Sequence, residues 1–218
     1  IVVSCGAKHS VYNVLAALIN PGDEVIIPAP YWVSYPEQTR LVDGVPVVIS
    51  AGAEQNFKIT AEQLAQTLTP RSKVLILNSP SNPTGMLYTQ SELEAIAEVV
   101  LGHDQLMVMS DEIYEKLIYG TNPHISIAQI SDEMKERTVI VNGVSKAYAM
   151  TGWRIGYTAS HSAIAGGMSR MQSHITSNPT SSAQWAALEA LTGPQQVVAD
   201  MGKEFNKRRQ LMVSRLNE

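Results

Sequence analysis

The sequence predicts a doubly wound α/β domain, in which helices cover both faces of a mostly parallel sheet. Short apolar runs rich in Val and Ile alternate with longer segments of helical periodicity, and this alternation is typical of strands joined by right-handed helical crossovers. Several runs are continuously apolar, as expected for strands buried on both faces. The 218 residues suffice for one large domain. We expect residues 1–218 to form one, because no repeat, low-complexity tract or linker interrupts them.

Seven segments have the length and composition of strands. Each is four or five residues long, and turn residues or helical segments separate them. In chain order the predicted strands are residues 1–4, 24–27, 45–49, 73–77, 106–110, 138–142 and 155–159.

Helices are predicted between these strands, and capping residues mark several of their ends. Thr89 with Glu92 has the spacing of a capping box, and Thr60 is a second N-cap. Asn20-Pro21-Gly22 and Asp43-Gly44 are stop signals. The predicted helices are residues 9–19, 31–42, 61–68, 90–101, 162–173, 181–191 and 205–216.

Charge and cysteine content narrow the function class. The net charge is -4, so no broad basic field exists to attract nucleic acid or a membrane surface, and we expect neither partner. The basic cluster at residues 207–209 is interpreted as a solvated helix face rather than a phosphate-backbone site. Cys5 is the only cysteine, which excludes an intramolecular disulfide and fits the cytoplasm. There is no signal-like segment and no apolar run near 18 residues.

The ends of the sequence suggest a fragment of a longer protein. The first residue is Ile1, within a strand-like run, and residues 205–216 read as a helix without a stop signal. We therefore expect further segments on both sides.

Polar and ionisable residues follow four of the predicted strands. In doubly wound sheets ligands bind outside the carboxyl ends of the strands, so these residues should converge at one rim. They lie in four segments: residues 6–8, 78–85, 111–114 and 143–146.

Taken one at a time, each of these residues can be explained by an ordinary structural role as well as by a functional one. Gly6-Ala7-Lys8 could hold an anion at a helix start, or could be an ordinary turn. Asp111 could be a helix cap, a metal ligand or the partner of a protonated ring nitrogen; a metal is disfavoured because only Glu112 is near and points the other way. Lys146 follows an apolar strand, and burial would favour its neutral, nucleophilic amine.

Together the segments carry a family resemblance. Residues 143–156, GVSKAYAMTGWRIG, are similar to the pyridoxal-phosphate attachment signature of class I aminotransferases. Residues 5–8, 78–85 and 110–114 agree with the same family in order and spacing. Residues 30–36, PYWVSYP, resemble an aromatic stretch of aspartate and prephenate aminotransferases. The resemblance implies the fold type I large domain: a three-layer α/β/α sandwich with a seven-stranded, mostly parallel sheet containing one antiparallel strand.

The resemblance also implies a role for each matching residue around pyridoxal 5'-phosphate. Lys146 would hold the cofactor as a Schiff base and then move a proton between substrate and cofactor. Asp111 would pair with the protonated pyridine nitrogen. Tyr114 and Asn82 would hydrogen-bond the ring oxygen. Trp32, otherwise an ordinary core tryptophan, would stack on the ring face.

Two further subsites follow from the same resemblance. The phosphate would lie against Gly6, Ala7 and Lys8, with Ser145 and Arg154 completing its binding site. The substrate would contact Lys8, Trp32 and Asn82: Asn82 the α-carboxylate, and Lys8 the second carboxylate of a dicarboxylic amino acid. A water-facing Lys8 is the bland alternative.

The implied activity is ping-pong transfer of an amino group from L-aspartate to 2-oxoglutarate, by a homodimer and without a metal. Prephenate or aromatic transamination, a carbon–sulfur β-lyase and a non-catalytic pyridoxal-phosphate module are the alternatives. One departure is Gly143, where the family often has a phosphate-binding serine. Because the family takes a tyrosine and an arginine from parts outside this sequence, we expect the 218-residue chain to transaminate poorly.

Overall fold

The computed structural model describes residues 1–218 and arranges them in three layers, with helices on both faces of a seven-stranded sheet. The strands are β1 (Val2–Cys5), β2 (Glu24–Ala29), β3 (Val45–Ser50), β4 (Ser72–Asn78), β5 (Met107–Asp111), β6 (Thr138–Gly143) and β7 (Ile155–Ala159). The helices are α1 (Ala7–Leu18), α2 (Ser34–Leu41), α3 (Ala61–Thr67), α4 (Gln90–Leu101), α5 (Asp132–Glu136), α6 (Ser162–Ile175), α7 (Ser181–Thr192) and α8 (Gln196–Leu216).

The sheet has the strand order β1-β7-β6-β5-β4-β2-β3. Strand β7 runs antiparallel to both of its neighbours, and the remaining pairs are parallel. The predicted seven-stranded, mostly parallel sheet with one antiparallel strand is therefore confirmed. Because β7 is reversed, its first residues lie at the same rim as the last residues of β6, where Gly143 pairs with Gly156.

Two hydrophobic cores, one on each face of the sheet, hold the layers together. Neighbouring residues of a strand point to opposite faces, so Ile26 belongs to one core and Ile27 to the other. Helices α3, α4 and α5 pack in the first core, whereas α1, α2 and α6 pack in the second. This burial on both faces explains the continuously apolar strands of the sequence.

Helix α2 begins three residues later than predicted, and Pro36 supplies the reason. A helix from residue 31 would require the missing N–H of Pro36 in its interior, whereas from Ser34 the proline occupies the first turn, where N–H groups need no helical partner. The shift leaves Tyr31 and Trp32 ahead of the helix. Trp32 is thus on a turn at the rim.

Helix α8 begins at Gln196, nine residues earlier than predicted, and continues through Gly202. A glycine inside a helix costs about 1 kcal/mol relative to alanine, so local propensity did not indicate this extension. Most of α8 is exposed, including Leu211 and Leu216. The short helix α5 was not predicted; Ser131 caps it by accepting a hydrogen bond from Met134 N. None of the helices is long and apolar enough to span a bilayer.

Candidate active site

A cavity of about 210 Å³ opens at the carboxyl ends of the central strands. Nine of the ten predicted site residues line it, and the tenth, Gly6, lies behind the Arg154 guanidinium. The lining residues are Ala7, Lys8, Trp32, Tyr35, Asn78, Asn82, Asp111, Ile113, Tyr114, Ser145, Lys146, Thr151 and Arg154. The structure therefore confirms that polar residues following separate strands converge at one rim of the sheet.

Asp111 is the last residue of β5, and its carboxylate is buried at the floor of the cavity. Its Oδ2 accepts a 2.7 Å hydrogen bond from the Tyr35 hydroxyl, and its Oδ1 accepts a 3.3 Å bond from Ile113 N. Burial raises the pKa of Asp111 to about 6; the two hydrogen bonds oppose this rise, and the charge of Glu112 adds to it. Because burial disfavours the ionised carboxylate of Asp111, a cation in the cavity would stabilise it.

Asn78, at the end of β4, connects Asp111 to the loop that follows β4. The two residues are paired across β4 and β5, and Asn78 Nδ2 donates to the Asp111 carbonyl at 2.9 Å. Asn78 Oδ1 in turn accepts a 2.7 Å hydrogen bond from Asn82 N. The backbone of Asn82 is thereby fixed relative to Asp111. Asn78 was predicted only as the first residue of the polar segment 78–85, without a role of its own, although its place at a strand end was a usable signal.

Lys146 and Tyr114 face each other across the cavity. Lys146 follows β6 and is half-buried between Ser145 and Ala147, which are both buried, as the apolar surroundings in the sequence predicted. Its Nζ lies 5.7 Å from the centre of the Tyr114 ring. Burial raises the pKa of Tyr114, and the nearby charge of Asp111 adds to this, so the hydroxyl remains a hydrogen-bond donor at neutral pH.

Trp32 forms one wall of the cavity, with Lys8 at its edge. The Trp32 ring meets the Tyr35 ring edge-on, with centroids 5.3 Å apart and planes at 89°. Lys8 Nζ lies 4.9 Å from the centre of the Trp32 ring, a cation–π distance. The Lys8 side chain is exposed, so it can reach a ligand that stands on the tryptophan.

The start of α1 forms a concave, cationic end of the cavity. Gly6 has φ of 86°, a conformation that favours glycine, and a Cβ at this position would lie 2.3 Å from Nη2 of Arg154. Arg154 is itself held by a 2.6 Å hydrogen bond from Nη1 to the Thr151 carbonyl. The N–H groups of Ala7 and Lys8 are in the first turn and have no partner within the helix. Together these groups suit an anion such as phosphate.

Glu112 points away from the cavity, as expected for the residue after Asp111 in an extended chain. Its Oε1 accepts a hydrogen bond from Ser110 Oγ, and its Oε2 lies 3.1 Å from His124 Nε2. Glu112, His124 and Glu115 are close enough to share an ion, but they lie outside the cavity lined by Asp111. The interpretation of Asp111 and Glu112 as joint metal ligands is therefore not supported by their orientation.

The cavity thus combines a lysine amine, a buried carboxylate, an aromatic wall and an anion-binding helix start. An amine can attach covalently to a carbonyl group. A carboxylate with a raised pKa pairs well with a protonated ring nitrogen. A flat heterocycle bearing an aldehyde and a phosphate would engage all four features.

Comparison with known proteins agrees with this chemistry. All of residues 1–218 match the sequence model of the family described as aminotransferase class I and II. The chain is 54% identical over 217 residues to an aspartate aminotransferase of Bacillus sp. strain YM-2, covering 100% of the chain and 55% of that protein. It is 53% identical over 218 residues to an aspartate/prephenate aminotransferase of Cereibacter sphaeroides, covering 100% of the chain and 54% of that protein.

Solved structures with the same arrangement include an aspartate aminotransferase from Rhizobium meliloti. It matches with a TM-score of 0.96 and 43% identity over 99% of this chain and 54% of that one. An aromatic aminotransferase from Pyrococcus horikoshii matches with a TM-score of 0.94 and 41% identity, over 99% of this chain and 58% of that one. The chain therefore spans about half the length of the proteins that it matches.

Proposed function

Because the chain belongs to the class I and II aminotransferase family, we propose that residues 1–218 are the pyridoxal-phosphate-binding large domain of an aspartate aminotransferase. The observation that supports this most strongly is the single cavity shared by Lys146, Asp111, Trp32 and the start of α1. The reaction would be L-aspartate:2-oxoglutarate transamination in two ping-pong half-reactions.

Two observations indicate that the cavity fits pyridoxal phosphate. The Arg154 guanidinium can pack directly against Gly6 because this glycine lacks a Cβ, and next to it lie free N–H groups of a helix start. The buried carboxylate of Asp111 has one side-chain hydrogen bond and a pKa raised to about 6, so a cationic partner would relieve its burial. The group when bound supplies a protonated, conjugated ring that withdraws electron density from the substrate Cα.

The residues of the chain would divide the work as follows. Lys146 Nζ would attach the cofactor and later carry a proton to and from the substrate Cα. The Asp111 carboxylate would accept a hydrogen bond from the ring N–H. Tyr114 and Asn82 would donate to the ring oxygen, and Trp32 would cover one face and exclude water.

The phosphate would be bound at the start of α1. Backbone N–H groups of Ala7 and Lys8, the Ser145 hydroxyl and the Arg154 guanidinium would donate to it, and Gly6 leaves room for the guanidinium. Gly143 lacks the serine hydroxyl that the family often has at this position, and its N–H already donates a 2.7 Å hydrogen bond to Asn142 Oδ1.

Lys8 favours a dicarboxylic substrate. Its Nζ stands over the Trp32 ring at the edge of the cavity, where it could pair with a second carboxylate while Asn82 contacts the first. Prephenate is the second candidate, because a relative with 53% identity is named for both substrates.

The remaining assignments concern the whole protein. We propose that it acts in the cytoplasm on amino acid and 2-oxoacid substrates as a homodimer, and that further segments complete the site. Exposed apolar side chains on α7, such as Trp185 at 72% exposure, support an interface with a second copy. The chain alone would then transaminate poorly.

An absorbance titration with pyridoxal phosphate tests the proposal. The wild-type chain should develop a pH-dependent band, and borohydride reduction should fix the cofactor on the peptide containing Lys146. Lys146→Ala should abolish both signals, whereas Lys203→Ala, an exposed lysine of α8, should leave them unchanged. Cofactor trapped mainly on other lysines, or an equal band in Lys146→Ala, would contradict the assignment.

A further inference from the structure

We propose that Tyr35 is a positioning residue that holds the Asp111 carboxylate and the Trp32 indole as one unit, its hydroxyl keeping Asp111 ionised for the ring cation. The inference rests on the proposed cofactor site and adds Tyr35, a residue to which the sequence pattern assigned no role. Tyr35 is the second residue of α2 and is only 2% exposed, so we assign its effect on the cofactor to its contacts with Asp111 and Trp32.

The hydroxyl of Tyr35 is the only side-chain donor to the carboxylate of Asp111. It lies 2.7 Å from Oδ2, the short distance expected for an O–H donor to a carboxylate. The second oxygen receives only the longer bond from Ile113 N. Since the ionised carboxylate accepts this bond better than the protonated acid does, Tyr35 opposes the effect of burial on Asp111.

Tyr35 remains protonated over the whole working range. Its pKa lies well above the ordinary value, first because of burial and then because of the adjacent Asp111 charge. The hydroxyl can therefore act as a permanent donor.

The ring of Tyr35 has a second role, which is to position Trp32. It meets Trp32 edge-on at a centroid distance of 5.3 Å, which fixes the plane of the indole. The same helix holds the start of α1, because Gln38 Nε2 donates to the Lys8 carbonyl at 3.0 Å. Through these contacts, helix α2 fixes the relative positions of Asp111, Trp32 and the start of α1.

Several other groups influence the charge on Asp111, and all are shared by wild type and variant. The charge of Glu112, the residue directly after β5, raises the pKa of Asp111. The remaining titratable or charged groups that line the cavity are Lys8, Tyr114, Lys146 and Arg154.

Tyr35→Phe separates the two roles, because phenylalanine keeps the ring contact and removes the donor. Loss of a charge-assisted hydrogen bond should raise the pKa of Asp111 by roughly one unit. If only the ionised carboxylate binds the ring cation, starting from a pKa of about 6, the variant's cofactor dissociation constant should rise about tenfold at pH 5, about twofold at pH 7 and hardly at all at pH 8.5.

Two measurements decide the question in the full chain. The first is a carbon-13 NMR titration of aspartate side chains without cofactor, in which the Asp111 signal is identified by its absence in Asp111→Asn. The second is the pyridoxal phosphate dissociation constant of wild type and variant at the three pH values, from tryptophan fluorescence. Tyr88→Phe is the matched control, since Tyr88 is a buried tyrosine outside the cavity lining whose hydroxyl oxygen accepts a hydrogen bond from Ile59 N.

The expected result is a raised Asp111 pKa in Tyr35→Phe alone, with an affinity loss that disappears at high pH. An unchanged Asp111 pKa, or an affinity loss equal at pH 5 and pH 8.5, would reduce Tyr35 to a packing residue and overturn the inference. If wild type binds no pyridoxal phosphate, the proposed function fails, and the NMR titration still decides the effect of Tyr35 on Asp111. Should Tyr35→Phe not fold, Tyr35→Leu, which removes the hydroxyl without adding volume or a new N–H donor, replaces it in the NMR titration.

Discussion

Substitution of Gly156 tests how tightly the sheet supports the anion-binding end of the cavity. Gly156 lies in β7, paired with Ser4 of β1 on one side and with Gly143 of β6 on the other. A Cβ added to Gly156 would lie 2.2 Å from Ala7 N and 2.5 Å from Ala7 Cα. Both of these atoms are backbone, so no side chain can rotate away.

The size of the effect follows from this geometry. Ordinary contacts of a Cβ begin near 3.4 Å, so Gly156→Ala must push the β1–α1 turn away from β7 by about 1 Å. Overpacking of this kind typically costs about 1–3 kcal/mol. We expect the upper half of that range, because hydrogen-bonded strands on both sides resist the shift. The displaced N–H groups of Ala7 and Lys8 should also weaken pyridoxal phosphate binding by about tenfold or more, equivalent to about 1.4 kcal/mol.

Urea unfolding followed by circular dichroism, together with a cofactor titration, measures both effects. Gly202→Ala is the control: this glycine lies inside α8 with nothing within 4 Å of the added Cβ, so the change should stabilise the helix by about 0.5–1 kcal/mol. If Gly156→Ala unfolds at the same urea concentration as wild type, the reasoning about this close approach is wrong.

Three further predictions concern charged groups. The pKa of Asp111 in the folded protein is raised to about 6 from a model-peptide value of 3.8. Ionising Asp111 should therefore lower the free energy of unfolding by about 3 kcal/mol as pH rises from about 4 to about 7. In urea unfolding without cofactor, Asp111→Asn should lack this loss, and parallel pH profiles of wild type and variant would contradict the prediction. Burial raises the pKa of Glu24, but hydrogen bonds from Thr69, Ser72 and Arg71 and the charge of Arg71 together outweigh it, so the net shift is downward. The stabilisation by ionised Glu24 is therefore present at neutral pH and lost on acidification. Glu24→Gln should destabilise by about 1–2 kcal/mol at pH 7 and by less near pH 3.5 in the same assay. In the full-length protein, Lys8→Met should lower kcat/KM for aspartate by about tenfold and change kcat/KM for phenylalanine little; an equal fall for both substrates would remove Lys8 from substrate selection.

The sequence was most informative where the physics is local. Continuously apolar runs located all seven strands to within about two residues, and the capping boxes at Thr60 and Thr89 are both present in the structure. Helix α8 was predicted too short because Gly202 lowers the local helical preference.

Pairwise contacts between distant segments were beyond the reach of the sequence pattern. Asp111 and Lys146 stood out because Asp111 directly follows a predicted strand and Lys146 follows another within four residues. Tyr35 did not, because its bond to Asp111 joins residues 76 positions apart, and only the packing of α2 on the sheet brings them together. Asn78 is an intermediate case, since the adjacency of β4 and β5 was predictable but the register that pairs Asn78 with Asp111 was not.

The reversal of β7 also determines how far apart two functional groups can stand. In an all-parallel sheet, the chain after β6 would cross over through a helix, and the next strand would begin at the opposite end of the strands. Here the pairing of Gly143 with Gly156 closes the connection into a hairpin that leaves and re-enters the sheet at the same level. The spacing between the amine of Lys146 and the guanidinium of Arg154 is thus set by main-chain hydrogen bonds at the base of a closed loop. Removing one residue from this loop would therefore shift the amine against the anion site, even though the apolar layers beneath stayed intact.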